Sequence, residues 1–153
     1  MSRIVNIMPM AGLGKRFYES VFHLPKPLIK IKNKPMFIQA ANSMPKSDLN
    51  IFICNKKLVT EYKIKKILLK KFSKNFKLIT VKKTTKGQAN TCLLAKKFLK
   101  KDDKIFIHSC DSLIKFNSNN LNKNLDEYKG IIFTTKPNKT HIKNINFCRI
   151  SSP

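Results

Sequence analysis

The feature that most constrains this chain is an alternation of apolar runs of strand length with segments of helical period. Residues 3–8 read as a β-run that ends at Pro9 and a Gly-containing loop over residues 10–17. Pro35 suits a first helical position and opens a helix over residues 36–43. Residues 49–54 are a nearly continuous apolar run, as expected of a strand covered on both faces. Within residues 58–72, Ile64, Ile67, Leu68 and Phe72 fall at helical spacing, with lysines on the other face. A short strand follows at 77–81, a helix at 88–99, a strand at 104–109, a helix at 120–128 and a further strand at 130–135. This order predicts an α/β doubly wound fold, a mostly parallel sheet with helices on both faces. Ligands of such sheets bind beyond the carboxyl ends of the strands. Three segments are expected there: the loop after the first strand, the segment before Gln88, and Asp111.

At 153 residues the chain has the length of about one domain. Residues 1–135 are expected to form the α/β domain, and residues 136–153, which show no settled period, an irregular tail that reads as cut off. No apolar run approaches the roughly 18 residues of a membrane span. Asn6 and Pro9 interrupt the N-terminal segment, which has no cleavage-type ending, so no signal peptide and a cytoplasmic location are expected. Cys54, Cys92, Cys110 and Cys148 are widely spread without a CxxC pair, and His23, His108 and His141 are the only histidines. That pattern argues against zinc and for free, mostly buried thiols in a reducing compartment.

The net charge of +24 invites a nucleic-acid reading. Only 3 of the 32 basic residues are arginines, however, and the lysines are scattered along the whole chain. Lys, Asn, Ile and Phe, all abundant here, share A/T-rich codons, so compositional drift accounts for the excess. Arg, the usual reader of phosphate forks and base edges, is nearly missing. Non-specific attraction to polyanions is expected, but no specific nucleic acid.

Four segments carry chemistry. Gly12 and Gly14 follow the first strand, where glycines let the backbone approach a phosphate or base and free N–H groups cradle an anion. Lys15 and Arg16 add positive charge where a triphosphate would lie. The loop is neither a Walker A motif, since Pro9 stands in place of its first Gly, nor a GxGxxG fingerprint, since Phe17 replaces the last. Taken alone, such a loop is equally a structural turn. Pro25 and Pro27 restrict the backbone around Lys26, which would be held in an extended segment able to close over the same site. Asp111, one of only eight carboxylates, follows an apolar strand; it suits magnesium, or equally a turn or cap. Gly87 precedes a helix, where it would admit a base or phosphate to backbone N–H groups or serve as an ordinary cap. A His108–Asp111 acid–base pair is not expected, because residues three apart on a strand point to opposite faces.

Gly12-Leu13-Gly14-Lys15-Arg16, Pro25-Lys26-Pro27-Leu28 and Lys34-Pro35-Met36, in this order and spacing, resemble the opening motifs of the nucleotidyltransferases that join a nucleoside triphosphate to a sugar 1-phosphate or similar phosphate ester. The similarity runs from Arg3 to about Ser112, with a weaker echo to Thr135. The resemblance implies a Rossmann-like fold, base contacts from the backbone of Met10, Ala11 and Gly12 with help from Gly87, and Mg2+ on Asp111. It also implies that Arg16 holds the leaving pyrophosphate and Lys26 the α-phosphate. The partners it implies are the triphosphate and a phosphorylated small-molecule acceptor.

Two departures bear on this. The family's later Glu-Lys-Pro segment and second magnesium aspartate find no match here, and Ser109, Cys110 and Ser112 vary from the commonest surroundings of the aspartate. The expectation is therefore the N-terminal, nucleotide-binding portion of such an enzyme. Its alternatives are a nucleotide-binding remnant that needs a partner chain or has lost turnover, and a basic nucleic-acid-binding protein; an oligomer or a complementing chain is a further expected partner.

Overall fold

The computed structural model describes residues 2–12, 14, 24–115 and 131–132. The chain divides into a unit spanning Met1–Phe116 and another spanning Asn117–Pro153, and the architecture below is that of the first. The domain boundary at residue 135 and the helix expected at 120–128 lie outside the described residues. So does the strand expected at 130–135, except for Ile131 and Ile132, which are not in a strand.

β1 (Ile4–Met10) lies at the centre of a four-stranded parallel sheet, flanked by β4 (Leu49–Asn55) and β6 (Lys104–Ile107), with β5 (Phe76–Val81) beyond β4. Register runs from Val5↔Leu49 to Met10↔Cys54 on one side, and from Ile4↔Lys104 to Ile7↔Ile107 on the other. The expected strand end at Pro9 is corrected, since β1 continues through it to Met10. In a parallel ladder a residue turns its N–H and C=O toward the same neighbour. Ile7 O accepts from His108 N at 3.1 Å, so Pro9, two residues on, also faces the β6 side, past the last paired residue Ile107. No ladder bond is lost there.

Side-chain alternation along β1 builds two cores. Met8 and Met10 join Phe52, Phe37, Leu58, Ile64 and Leu68 on one face. Val5, Ile7 and Ala11 join Ile51, Ile53, Val81 and Ala95 on the other. The first core packs α1 (Met36–Ser43), α2 (Lys56–Thr60) and α3 (Ile64–Phe72) against the sheet; the second is flanked by α4 (Gln88–Leu93) and the 3-10 turn Lys96–Phe98. Helices thus cover both faces, as a doubly wound sheet requires.

Three elements depart from expectation. The helix over 58–72 is two helices: Asn55 caps α2 by accepting from Leu58 N at 3.1 Å, and Lys63 takes the left-handed conformation (φ 50°) between them. The break lets Leu58 and Ile64, six residues apart and so on different helical faces, both enter the core. The helix over 88–99 ends at Leu93 and tightens into the 3-10 turn. An additional hairpin, β2 (Lys30–Ile31) and β3 (Lys34–Pro35), precedes α1. Lys32 and Asn33 at its tip both have positive φ (48° and 61°), the signature of a type I′ turn. Gln39 on α1 fastens it by donating to Ile31 O (2.6 Å) and Lys34 O (3.0 Å).

Candidate functional site

Chain order and sheet order together locate the site. From β1 the chain moves outward to β4 and β5, then returns to the opposite side of β1 as β6. The winding reverses between β1 and β6, and a crevice opens where it reverses, beyond the carboxyl ends of the strands. The loop after β1 and the turn after β6 stand on its two sides.

Two adjoining clefts occupy this end of the sheet, and both are lined by Pro9, Gly12 and Gln88. One, of about 310 Å³, adds Ala11, Thr84, Thr85, Gly87 and Thr91. The other, of about 320 Å³, adds Met10, Gly14, Lys26, Pro27, Ser109, Cys110 and Asp111. Met10, Ala11, Gly12, Gly14, Lys26, Gly87 and Asp111 are therefore all brought to one end of the sheet. Lys15 and Arg16 lie outside the described residues.

Met10 and Ala11 are buried, one in each core, which anchors the loop at its root. Gly14 has φ +60° and Gly87 φ +138°, conformations that favour glycine. Gly12 has no such φ, and a β-carbon there would meet nothing within 4 Å. Gly87 is held from the far side: Thr91 donates to Gly87 O from its hydroxyl (3.0 Å) and its amide (3.1 Å), and the Thr85 and Thr91 hydroxyls bond each other.

Lys26 is not in the extended segment that the flanking prolines suggest. Lys26–Leu28 is a 3-10 turn closed by Leu28 N donating to Pro25 O at 2.8 Å. Pro27 fits because the first N–H groups of a helical turn need no partner within it, and burial of Pro27 and Leu28 holds the turn against the core. The turn leaves the Lys26 ammonium paired with the Asp111 carboxylate.

Asp111 sits in the turn after β6. Partial burial pushes its carboxyl up, but hydrogen bonds from Lys26 and the Ser109 hydroxyl outweigh this and hold it below its ordinary value. Ser109 and Ser112 hydroxyls lie 2.9 Å apart, and His108 Nε2 lies 2.9 Å from Ser112 O. His108 thus braces the turn instead of pairing with Asp111. Beside it, burial first and the Asp111 charge second push the Cys110 thiol up to about 11.

Thr84, Thr85 and Gln88 line the clefts within the segment expected there, whereas Ser109 and Thr91 are lining residues that sequence reasoning missed. A hydroxyl two residues before Asp111 and threonines bracketing Gly87 were the signals available. Among the described residues, no group of three or more His, Cys, Asp or Glu side chains gathers to hold a metal. A single carboxylate in an open cleft suits Mg2+, which keeps waters and takes its other ligands from substrate phosphates.

A parallel sheet with its cleft at the winding reversal makes this a doubly wound α/β protein. The sequence matches the nucleotidyl transferase family over residues 6–143, and the chain belongs to that family. Among curated proteins none matches significantly. Similar folds include a nucleoside-diphosphate-sugar pyrophosphorylase from Vibrio cholerae (21% identity, TM-score 0.59, covering 76% of this chain and 52% of that one). A Bacillus anthracis protein, assigned as a glucose-1-phosphate thymidylyltransferase and solved with sucrose, is similar at 18% identity and TM-score 0.67, covering 82% and 51%. A UTP-bound UGPase from Acinetobacter baumannii is similar at 20% identity and TM-score 0.54, covering 77% and 48%. The chain spans about half the length of these structures.

Proposed function

We propose that the chain carries the nucleotide site of an enzyme that joins a nucleoside triphosphate to a sugar 1-phosphate or similar phosphate ester, releasing pyrophosphate. The observation that carries this reading is the convergence of the Gly12–Gly14 loop, Lys26 and Asp111 on one cleft, supported by membership of the nucleotidyl transferase family. The base would lie against the backbone of Met10, Ala11 and Gly12, with Gly87 opposite. Lys15 and Arg16 would meet the outer phosphates, Arg16 holding the departing pyrophosphate, and Lys26 the α-phosphate. Asp111 would hold Mg2+, which supplies Lewis-acid polarisation and charge neutralisation when bound.

The attacking group is already a phosphate oxygen, so this chain's residues need supply no strong base. Their work is alignment of an in-line displacement at the α-phosphorus and stabilisation of the charge that develops. A second reading beside the first is a nucleotide-binding remnant without turnover unless complemented. Residues 1–135 would form the nucleotide-binding domain and 136–153 a tail. No specific nucleic acid is proposed as a partner, because the lysines are spread instead of gathered. Among the described residues no helix is long and apolar enough to cross a membrane, and a cytoplasmic location is proposed.

Calorimetry with a panel of magnesium–nucleoside triphosphates tests the site. Wild type is expected to bind, and Arg16→Ala and Lys26→Ala to weaken binding by removing charge-assisted phosphate contacts. Equal affinity in all three proteins would overturn the assignment.

A further inference from the structure

Asp111 is the only carboxylate among the described residues lining the clefts, and it already holds a cation, the Lys26 ammonium. The two come from distant parts of the chain, the 3-10 turn before β2 and the turn after β6, and their side chains are 27% and 31% exposed. The pair is therefore reachable by solvent and ligand, and its partners can exchange. On the functional reading above, on which this inference rests, Lys26 goes to a phosphate and Asp111 to a divalent cation. Each residue must give up the other to do so.

We infer that Lys26 is a specificity-determining residue that makes the site select a metal–polyphosphate complex over either component alone. A bare divalent cation reaching Asp111 displaces Lys26 and then sits beside an ammonium that has received no anion in exchange. A bare polyphosphate that draws Lys26 away leaves the Asp111 carboxylate uncompensated and facing a ligand of its own sign. The complex replaces both partners in one step, so neither charge is stranded. The pair thereby couples the two halves of the ligand, as linkage requires of any shared residue.

A crossed pair of binding measurements on the full chain tests this, made at physiological salt to screen the exposed lysines. Mn2+ alone is followed by electron paramagnetic resonance, and inorganic tripolyphosphate alone by calorimetry in metal-free buffer. Lys26→Met should weaken tripolyphosphate binding yet strengthen Mn2+ binding roughly three- to five-fold, in line with the worth of a partly exposed ion pair. Asp111→Asn should do the reverse. Asp111→Asn should gain less for tripolyphosphate in the Lys26→Met background, where no ion pair is left to break, than in wild type, and an equal gain in both would reduce its effect to a change in net charge and overturn the inference. Lys26→Gln serves in the same comparisons if circular dichroism shows that Lys26→Met has not folded. If each variant weakens its own probe and neither gains for the other, the functional reading stands and the selection by Lys26 is overturned. If neither probe binds wild type or either variant while magnesium–triphosphate does bind, the inference is overturned and the functional reading stands; if magnesium–triphosphate also fails to bind, the site assignment falls, and the inference with it.

Discussion

Gly14 stands directly against Lys26: a β-carbon built on Gly14 would lie 3.5 Å from the Lys26 Cβ and 3.9 Å from its backbone nitrogen. The loop after β1 and the turn that carries the ammonium therefore touch at a position with φ +60°. A methyl group fits that space, so Gly14→Ala is expected to cost conformational energy only, about 1 kcal/mol. Gly14→Val adds a branched side chain that must push Lys26 aside. Urea denaturation should show a modest loss for Ala and a larger one for Val. Triphosphate affinity should fall further with Val than stability alone explains.

The two ends of the pH range are expected to destabilise the protein through different groups. At the acid end, Asp103 accepts from Arg3 Nε (3.0 Å) and Nη2 (2.6 Å) and from Lys100 N (2.8 Å), and the Arg3 hydrogen bond, opposed by burial, holds its carboxyl below its ordinary value. A depressed folded-state pKa gives stability that is present above the unfolded value, near 3.9, and lost as pH falls through the folded value. At the alkaline end, burial pushes the Cys54 thiol up to about 12 and the Cys110 thiol to about 11. Their contribution is complete below the unfolded thiol value, about 8.5, and is lost as pH rises through the folded values. Urea midpoints measured across pH should fall at both ends, with Asp103→Asn flattening the acid limb and Cys54→Ala reducing the alkaline one.

Phe52 on β4 is 1% exposed and packs its ring against Phe37 (6.2 Å between centroids), Phe72 (5.1 Å) and Phe76 (6.4 Å). It ties α1, α3 and β5 to the central sheet through one side chain. Phe52→Ala is expected to cost about 3–5 kcal/mol by leaving a cavity, a large share of the roughly 5–15 kcal/mol that holds an ordinary domain folded. Phe52→Leu, which keeps most of the volume, should cost clearly less in the same denaturation experiment.

The apolar strands were legible because a strand buried on both faces must be apolar at nearly every position, as residues 49–54 are. Sequence period missed the hairpin at Lys30–Pro35, which is two residues per strand and held by Gln39 from another element. It missed the break at Lys63 because Ile64, Leu68 and Phe72 keep helical spacing beyond it, while burial of Leu58 forces the turn. In the site, glycines and charged residues announced themselves by type. The pairing of Lys26 with Asp111 did not, since only the return of β6 to the far side of β1 brings them together. The bracing of the Asp111 turn by His108 was hidden for the same reason, because it uses a backbone carbonyl that sequence does not mark.

Gly12 separates the needs of the fold from those of the ligand. Gly14 and Gly87 have positive φ, so replacing either perturbs the backbone as well as the cleft. Gly12 has no positive φ, and a β-carbon there would meet no atom within 4 Å, so the fold itself does not require glycine. Gly12 nevertheless lines both clefts, at the point where the two adjoin. If the ligand lies across both, its closest approach to the backbone is here, and a methyl group occupies the space it needs. Gly12→Ala is expected to leave the urea midpoint nearly unchanged, within about 0.5 kcal/mol, as for an exposed substitution. The same change should weaken magnesium–triphosphate binding about ten-fold or more, the equivalent of roughly 1.4 kcal/mol or above. Paired denaturation and calorimetry on this one variant check both halves. Unchanged triphosphate affinity would mean that the ligand does not pass over Gly12 and that the two clefts do not share it.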